Sequence, residues 1–98
     1  MQGLTALADP TRQRIVEMLA NGPLCAGDIA DRFDVSAPAI SQHLKTLREA
    51  KLVRVRPEAQ KRFYELNPEG VMELSDWIER IRAFWSKKLD ALEEKLNK

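Results

Sequence analysis

Apolar positions fall into three regimes along the chain: helical spacing as far as Leu47, a switch to alternation that begins at Val53-Arg54-Val55-Arg56, and helical spacing again over a much longer run from Val71 to Leu96. Leu4 and Leu7 make a short apolar helical turn that ends near Asp9-Pro10. Asp9 can cap the next helix and Pro10 can occupy its first position, where a missing N–H costs nothing. That helix should run from about Pro10 to Ala20, with Ile15, Met18 and Leu19 facing the core, and Asn21-Gly22-Pro23 ends it. A shorter helix is expected from Cys25 to Phe33, carrying Ile29 and Phe33 at i, i+4. Asp34 falls at the turn that follows, where a short polar side chain can accept the left-handed conformation. Ser36 then caps a further helix with Pro38 in its first turn, and Ile40, Leu44 and Leu47 recur at i, i+4, i+7. Helix, short turn and capped second helix are the elements of a helix-turn-helix.

The alternation in Val53-Arg54-Val55-Arg56 predicts a strand, Pro57-Glu58-Ala59-Gln60 a turn, and Lys61 to Leu66 a return strand with Tyr64 and Leu66 on the inner face. Two strands alone are marginal in water, so this β-hairpin must rest its Val53, Val55, Tyr64 and Leu66 face on the helices. Asn67 and Pro68 open a last helix that runs nearly to the end. Val71, Leu74, Ile78, Ile81, Trp85, Leu89, Leu92 and Leu96 trace its stripe, and Trp77 and Phe84 widen it. That is more apolar surface than a small domain covers by itself, so a homodimer is expected. Its interface would use Leu74, Trp77, Ile78, Ile81, Phe84, Trp85, Leu89 and Leu92, with Leu4 and Leu7 beside them.

A length of 98 residues fits one domain with a small core, mainly α with a small β-hairpin. The helix-turn-helix would occupy about residues 25–50, the hairpin about 52–66 and the dimerising helix about 68–96. Net charge is only +1, but its distribution is uneven. Lys45, Arg48, Lys51, Arg54, Arg56, Lys61 and Arg62 lie between Ser36 and Leu66 against Glu49, Glu58 and Glu65 alone. Cys25 is the single cysteine, so no internal disulfide can form and a reducing cytoplasm is the expected compartment. No basic leader or membrane-length apolar run is present, and no membrane partner is expected.

The capped helix has one face that packs and one that is free, and its free face together with the basic hairpin points to double-stranded DNA. Gln42 suits an adenine edge, to which a carboxamide can bond through N6 and N7. Ser41 can reach a base or phosphate, Ala37 and Pro38 can touch a thymine methyl, and Ser36 and Lys45 suit phosphate. Arg54, Arg56, Lys61 and Arg62 are the hairpin's candidates for phosphate. His43 lies between stripe and polar face, where it supports the helix; DNA contact is its alternative role. Ser41 and His43, at i, i+2, do not face each other, and no acid/base pair, nucleophile constellation or phosphate loop marks an enzyme. The competing reading is a protein-interaction module that uses the last helix and reads no DNA sequence. Aromatic walls at Trp77, Phe84 and Trp85 could also admit an apolar effector.

Four motifs in order carry a family resemblance: Leu7-Ala8-Asp9-Pro10-Thr11-Arg12 with Arg14-Ile15; Ser36 with Ser41-Gln42-His43-Leu44 and Leu47; Leu52-Val53; and Tyr64-Glu65-Leu66. Together they resemble the ArsR family of bacterial winged helix-turn-helix repressors over most of the chain. The resemblance implies a cytoplasmic homodimer, joined by its terminal helices, that binds a palindromic operator and often represses its own operon. Metal-sensing members carry a Cys-x-Cys pair, and here Cys25 is followed by Gly27 where the second thiolate would stand. Others use His on the last helix, which has none. One Cys and one His cannot supply the three or four ligands of a zinc or arsenite site, so no metal or cofactor is expected. The tail from Phe84 to Leu92 is similar to that of the family's metal-independent branch.

Overall fold

The computed structural model describes residues 1–97, and Lys98, the last residue of the expected domain, lies outside them. In order the chain forms α1 (Gln2–Ala6), α2 (Pro10–Leu19), β1 (Leu24–Cys25), α3 (Ala26–Ala30), α4 (Ala37–Glu49), β2 (Val53–Glu58), β3 (Lys61–Leu66) and α5 (Pro68–Leu96). The three long helices start where the sequence supplies a cap. Asp9 accepts from the Arg12 N–H, Ser36 from Ala39 and Asn67 from Glu69, and each helix carries Pro within its first two positions. Gly22, at φ 133°, takes the chain out of α2 through a backbone conformation that L side chains rarely adopt.

One buried cluster joins these elements. Ile15 and Leu19 of α2, Ile29 of α3, and Ile40, Leu44 and Leu47 of α4 meet Leu52, Val53 and Tyr64 from the sheet side, with Ala6 of α1 closing one end. The recognition-type helix α4 is therefore gripped along its whole apolar stripe.

Several expectations needed correction. The sheet has three strands in the order β1-β3-β2, because Leu24 and Cys25 pair with Tyr64 and Phe63. A two-residue strand has no periodicity to read, and it takes Cys25 from the helix expected there, which begins at Ala26 and is only five residues long. Asp34 is not left-handed; the non-glycine residues with positive φ are Lys51 (61°) and Ala59 (56°). In α1 the buried positions are Gly3 and Ala6, while Leu4 is exposed, as an interface residue would be in the protomer. Small residues let that helix lie close to Leu52, whose side chain comes within 3.6 Å of where a Gly3 Cβ would be.

The hairpin turn is also shorter than expected. β2 extends to Glu58, leaving Ala59 and Gln60 as the turn, so Val53 pairs with Leu66, Arg54 with Glu65 and Val55 with Tyr64. A four-residue turn would have shifted that pairing by two. The faces are unchanged, since a shift of two preserves the alternation, but the cross-strand partners differ.

Lys51 ends α4 by the left-handed route usual for glycine. Leu52 N–H donates to Leu47 O at 3.0 Å and Lys51 N–H to Arg48 O at 2.9 Å, the paired bonds of a Schellman motif, with Leu47 and Leu52 both buried. α5 starts against this same corner, where Gly70 N–H donates to Lys51 O at 3.1 Å. Only glycine permits that approach, since a Cβ on Gly70 would lie 2.1 Å from the Lys51 carbonyl oxygen.

Candidate nucleic-acid interface

Burial divides α4 sharply. Ile40, Leu44 and Leu47 are at most 1% exposed, whereas Ala37, Pro38, Ser41, Gln42 and Lys45 all face solvent. Ser36 is exposed too, and its hydroxyl accepts from Ala39 N–H at 3.3 Å, so the cap is formed before any ligand arrives. The first turn, with its unpaired N–H groups and partial positive charge, thus has a fixed direction. Thr46 Oγ1 donates to the Gln42 backbone carbonyl at 3.2 Å, and among the described residues the Gln42 carboxamide has no hydrogen-bond partner.

His43 is half-buried and differs from its neighbours. Its Nδ1 lies 3.1 Å from Arg12 Nη1 and 4.0 Å from Asp9 Oδ2. Arg12 Nε also donates to the carbonyl of Ala6 at the end of α1, and Gln13 Nε2 donates to Leu7 O at 2.7 Å. The Arg12 backbone N–H, donating to Asp9, holds the Asp9 carboxyl below its ordinary range and outweighs the desolvation that acts against it. Arg12 stands in the first family motif, yet nothing in the sequence marks it as a site residue. No periodicity singles it out, because its partners come from three different elements.

On the wing, the hairpin β2–β3, the four candidate cations are not equivalent. Arg54 Nε donates to Glu65 Oε1 at 3.1 Å, and Arg56 lies 3.8 Å from Glu65 and 3.9 Å from Glu58. Glu65 is only 17% exposed while both arginines are half exposed, so one largely covered carboxylate serves two cations. Among the described residues, Lys61 and Arg62 pair with no carboxylate. Glu65 was missed because its partnership with Arg54 depends on the two-residue turn; once that length is known, the register names the pair.

The candidate dimer face is spread unevenly along α5. Leu74 packs against the core, as does Leu7 at the C-cap of α1, and Trp77 is half-buried. Leu4, Ile78, Ile81, Phe84, Trp85, Leu89 and Leu92 are exposed, from 37% at Ile81 to 59% at Leu89. Phe84 and Trp85 meet edge to face with centroids 5.8 Å apart, and Lys88 Nζ lies 5.3 Å from the Phe84 ring centre. Cys25 is half-buried in β1, opposite Phe63.

Residues 9–55, spanning the cap of α2 to the first half of β2, match the family described as "Bacterial regulatory protein, arsR family". Over 84 residues the chain is 49% identical to the HTH-type transcriptional regulator Rv2034 of Mycobacterium tuberculosis, covering 86% of this chain and 76% of that protein. It is 37% identical over 73 residues to the transcriptional repressor SdpR of Bacillus subtilis, covering 74% and 81% of the two. Its fold is similar to the homodimeric winged helix-turn-helix DNA-binding domain of Mb0332 from Mycobacterium bovis, a possible ArsR-family regulator. That likeness has a TM-score of 0.69 at 26% identity, over 84% of this chain and 76% of that one.

Proposed function

The chain belongs to the ArsR family of bacterial regulatory proteins, and from that premise we propose that it is a homodimeric repressor that reads an inverted repeat through α4 and clamps the flanking backbone with its wing. DNA-binding transcription regulation is the activity of the family. The observation that carries the finer reading is α4 itself, capped at Ser36, held by three buried residues, and presenting Ser41, Gln42 and Lys45 to solvent.

In this reading Gln42 bonds a base edge, with Ser41, Ala37 and Pro38 beside it. Ser36 and Lys45 hold phosphates and so set register. Lys61 and Arg62 meet phosphate directly, whereas Arg54 and Arg56 do so in exchange for Glu65. His43 acts from behind the helix. Two copies joined through α1 and the exposed stripe of α5 place two recognition helices in major grooves about 34 Å apart, or a multiple of that. The whole chain acts as one winged domain, with the helix-turn-helix at about 25–50, the wing at about 52–66 and the dimerising helix at about 68–96.

In keeping with its family, the proposed activity is regulation and not catalysis, carried out in the cytoplasm. Among the described residues, no helix is long and apolar enough to cross a membrane. Its donor set favours the metal-independent branch of the family. A single Cys25, with Gly27 two positions on, and a single His tied to Arg12 leave too few soft or imidazole ligands within a protomer for zinc or arsenite. The signal that releases repression is then something other than a metal held by these residues.

Titration of a fragment of the protein's own promoter, at several salt concentrations, tests the reading. Tight, steeply salt-dependent binding that a scrambled fragment does not share is expected. Equal affinity for both would refute sequence-specific repression. Gln42→Ala should cost roughly 1–3 kcal/mol on the specific fragment and relax preference at one base pair.

A further inference from the structure

Arg12 joins three elements that have to agree if a dimer is to read two half-sites. Its backbone N–H caps onto Asp9 at 3.1 Å, its Nε donates to the last turn of α1 at Ala6, and its Nη1 meets His43 Nδ1 of α4 at 3.1 Å. A guanidinium has donors only, so His43 Nδ1 must be the acceptor, and a neutral ring then carries its proton on Nε2. Arg12 is thus pinned at one end to α1, which packs against α5, and at the other to the face of α4 that flanks Gln42. The contact lies between two half-buried side chains, where water competes less for the bond.

We propose that Arg12, acting through His43 Nδ1, is a positioning residue that fixes the rotation of α4 relative to α1, and so ties the base-reading face to the dimer-forming end of the protomer. The apolar stripe of α4 fixes where the helix sits, but aliphatic contacts are tolerant of small rotations. A bidentate carboxamide-to-adenine bond is not, since its geometry is set within a few tenths of an ångström. Loosening the Arg12–His43 bond should therefore lower discrimination between DNA sequences more than it lowers backbone-driven affinity. The inference rests on the reading that α4 enters the groove, and the two can fail separately.

The test uses the full chain and two isosteres. His43→Asn keeps an acceptor near the place of Nδ1, whereas His43→Gln moves the amide out to the place of Nε2. Arg12→Lys leaves one compact donor head that cannot bond Ala6 and His43 together. The readout is the ratio of affinities for the promoter fragment and a scrambled one, measured well below each variant's melting temperature. His43→Asn should hold that ratio within about twofold, while His43→Gln and Arg12→Lys lower it roughly fivefold, the worth of one hydrogen bond. The reverse order, with Gln tolerated and Asn not, would mean that Nε2 makes the important contact and would overturn the proposal. Unchanged discrimination in Arg12→Lys, or an equal loss on both fragments, would overturn it as well. Nitrogen NMR of the His43 ring in the DNA-free protein is independent of any operator. It should show the neutral ring protonated on Nε2 and a weaker preference in Arg12→Lys; a proton on Nδ1 would defeat the proposal whatever the DNA result.

Discussion

Replacing Glu65 with Gln should make the protein bind DNA more tightly at low salt and more steeply with salt. Glu65 holds Arg54 at 3.1 Å and Arg56 at 3.8 Å across the outer face of the wing, so both cations are partly neutralised before DNA is present. Glutamine keeps the volume and a neutral acceptor but not the charge. The loss of stability should be small, below about 1 kcal/mol, because both arginines are half exposed and solvent screens the pairs. Each arginine released to a phosphate should steepen the plot of log affinity against log salt by about 0.9. Between 50 and 200 mM salt, one released arginine adds roughly a threefold loss of affinity and two add roughly tenfold.

Fluorescence anisotropy with a labelled promoter fragment, at four or more salt concentrations, measures both slope and affinity. A carboxylate near DNA also repels it through space, without holding any particular arginine. The two causes separate in a double-mutant cycle with Arg54→Ala. If Glu65 acts by holding Arg54, most of the effect of Glu65→Gln disappears when Arg54→Ala is already present. An effect of full size in that double mutant would assign it to the general field, and an unchanged slope in Glu65→Gln alone would refute the reasoning. A weaker complex would mean that Glu65 orients the arginines for phosphate instead of competing for them.

The corner joining α4 to α5 gives a pair of opposite outcomes. Gly70→Ala puts a methyl 2.1 Å from the Lys51 carbonyl oxygen and strains the bond that Gly70 N–H makes there, costing about 2–4 kcal/mol in chemical denaturation, whereas Lys51→Gly relieves a left-handed lysine and adds about 1 kcal/mol. An unchanged midpoint for Gly70→Ala would show that the corner yields. Trp85→Glu combined with Leu89→Glu should give monomers by light scattering that melt below the dimer but still cooperatively, because both side chains are more than half exposed and lie outside the protomer's core; a surviving dimer would move the interface elsewhere. Asp9→Asn keeps a good cap and removes the charge, so it isolates the depressed carboxyl pKa. The folded value lies below the ordinary 3.8, so Asp9 is more stabilising than Asn above that pH, and the advantage disappears as pH falls through the folded value. Melting curves at neutral and strongly acid pH should show the difference and then its loss.

The parts legible in sequence were those set by local chemistry repeated over several residues. Ser36, Asp9 and Asn67 each mark a helix start because cap and proline act within one turn, and Ile40, Leu44 and Leu47 declare their face by period alone. What stayed hidden depends on partners distant in sequence. Leu24 and Cys25 become a strand only because β3 offers them an edge. Lys51, with no residue-type signal, takes the left-handed position because the buried Leu47 and Leu52 clasp around it. Asp34, which carries the signal, did not need it. Among the candidate site residues, the exposed face of α4 was readable from period and cap. The inequality among Arg54, Arg56, Lys61 and Arg62 was not, because it follows from a turn two residues shorter than its composition suggests.

The far half of α5 bears on how the proposed dimer is built. Val71 and Leu74 pack against the core, and beyond them the helix leaves the body: the radius of gyration is 17.6 Å, against about 13 Å for a compact chain of this length. An isolated stretch of that kind has little reason to stay helical in water, since helix stability in proteins comes mostly from covering an apolar face. Something must therefore cover Ile78, Ile81, Trp85, Leu89, Leu92 and Leu96. Their steps of three, four, four, three and four residues average the 3.6 of a straight α-helix, not the 3.5 of a left-handed coiled coil. The stripe consequently runs parallel to the helix axis and suits a partner helix that lies along it without winding. A straight, continuous helix joined to α4 through the tight Gly70 corner transmits position with little slack. The separation of the two recognition helices is then set by where the α5 stripes meet, and a substitution that shifts that register by one turn would change the half-site spacing the dimer accepts while leaving Gln42 and its neighbours untouched.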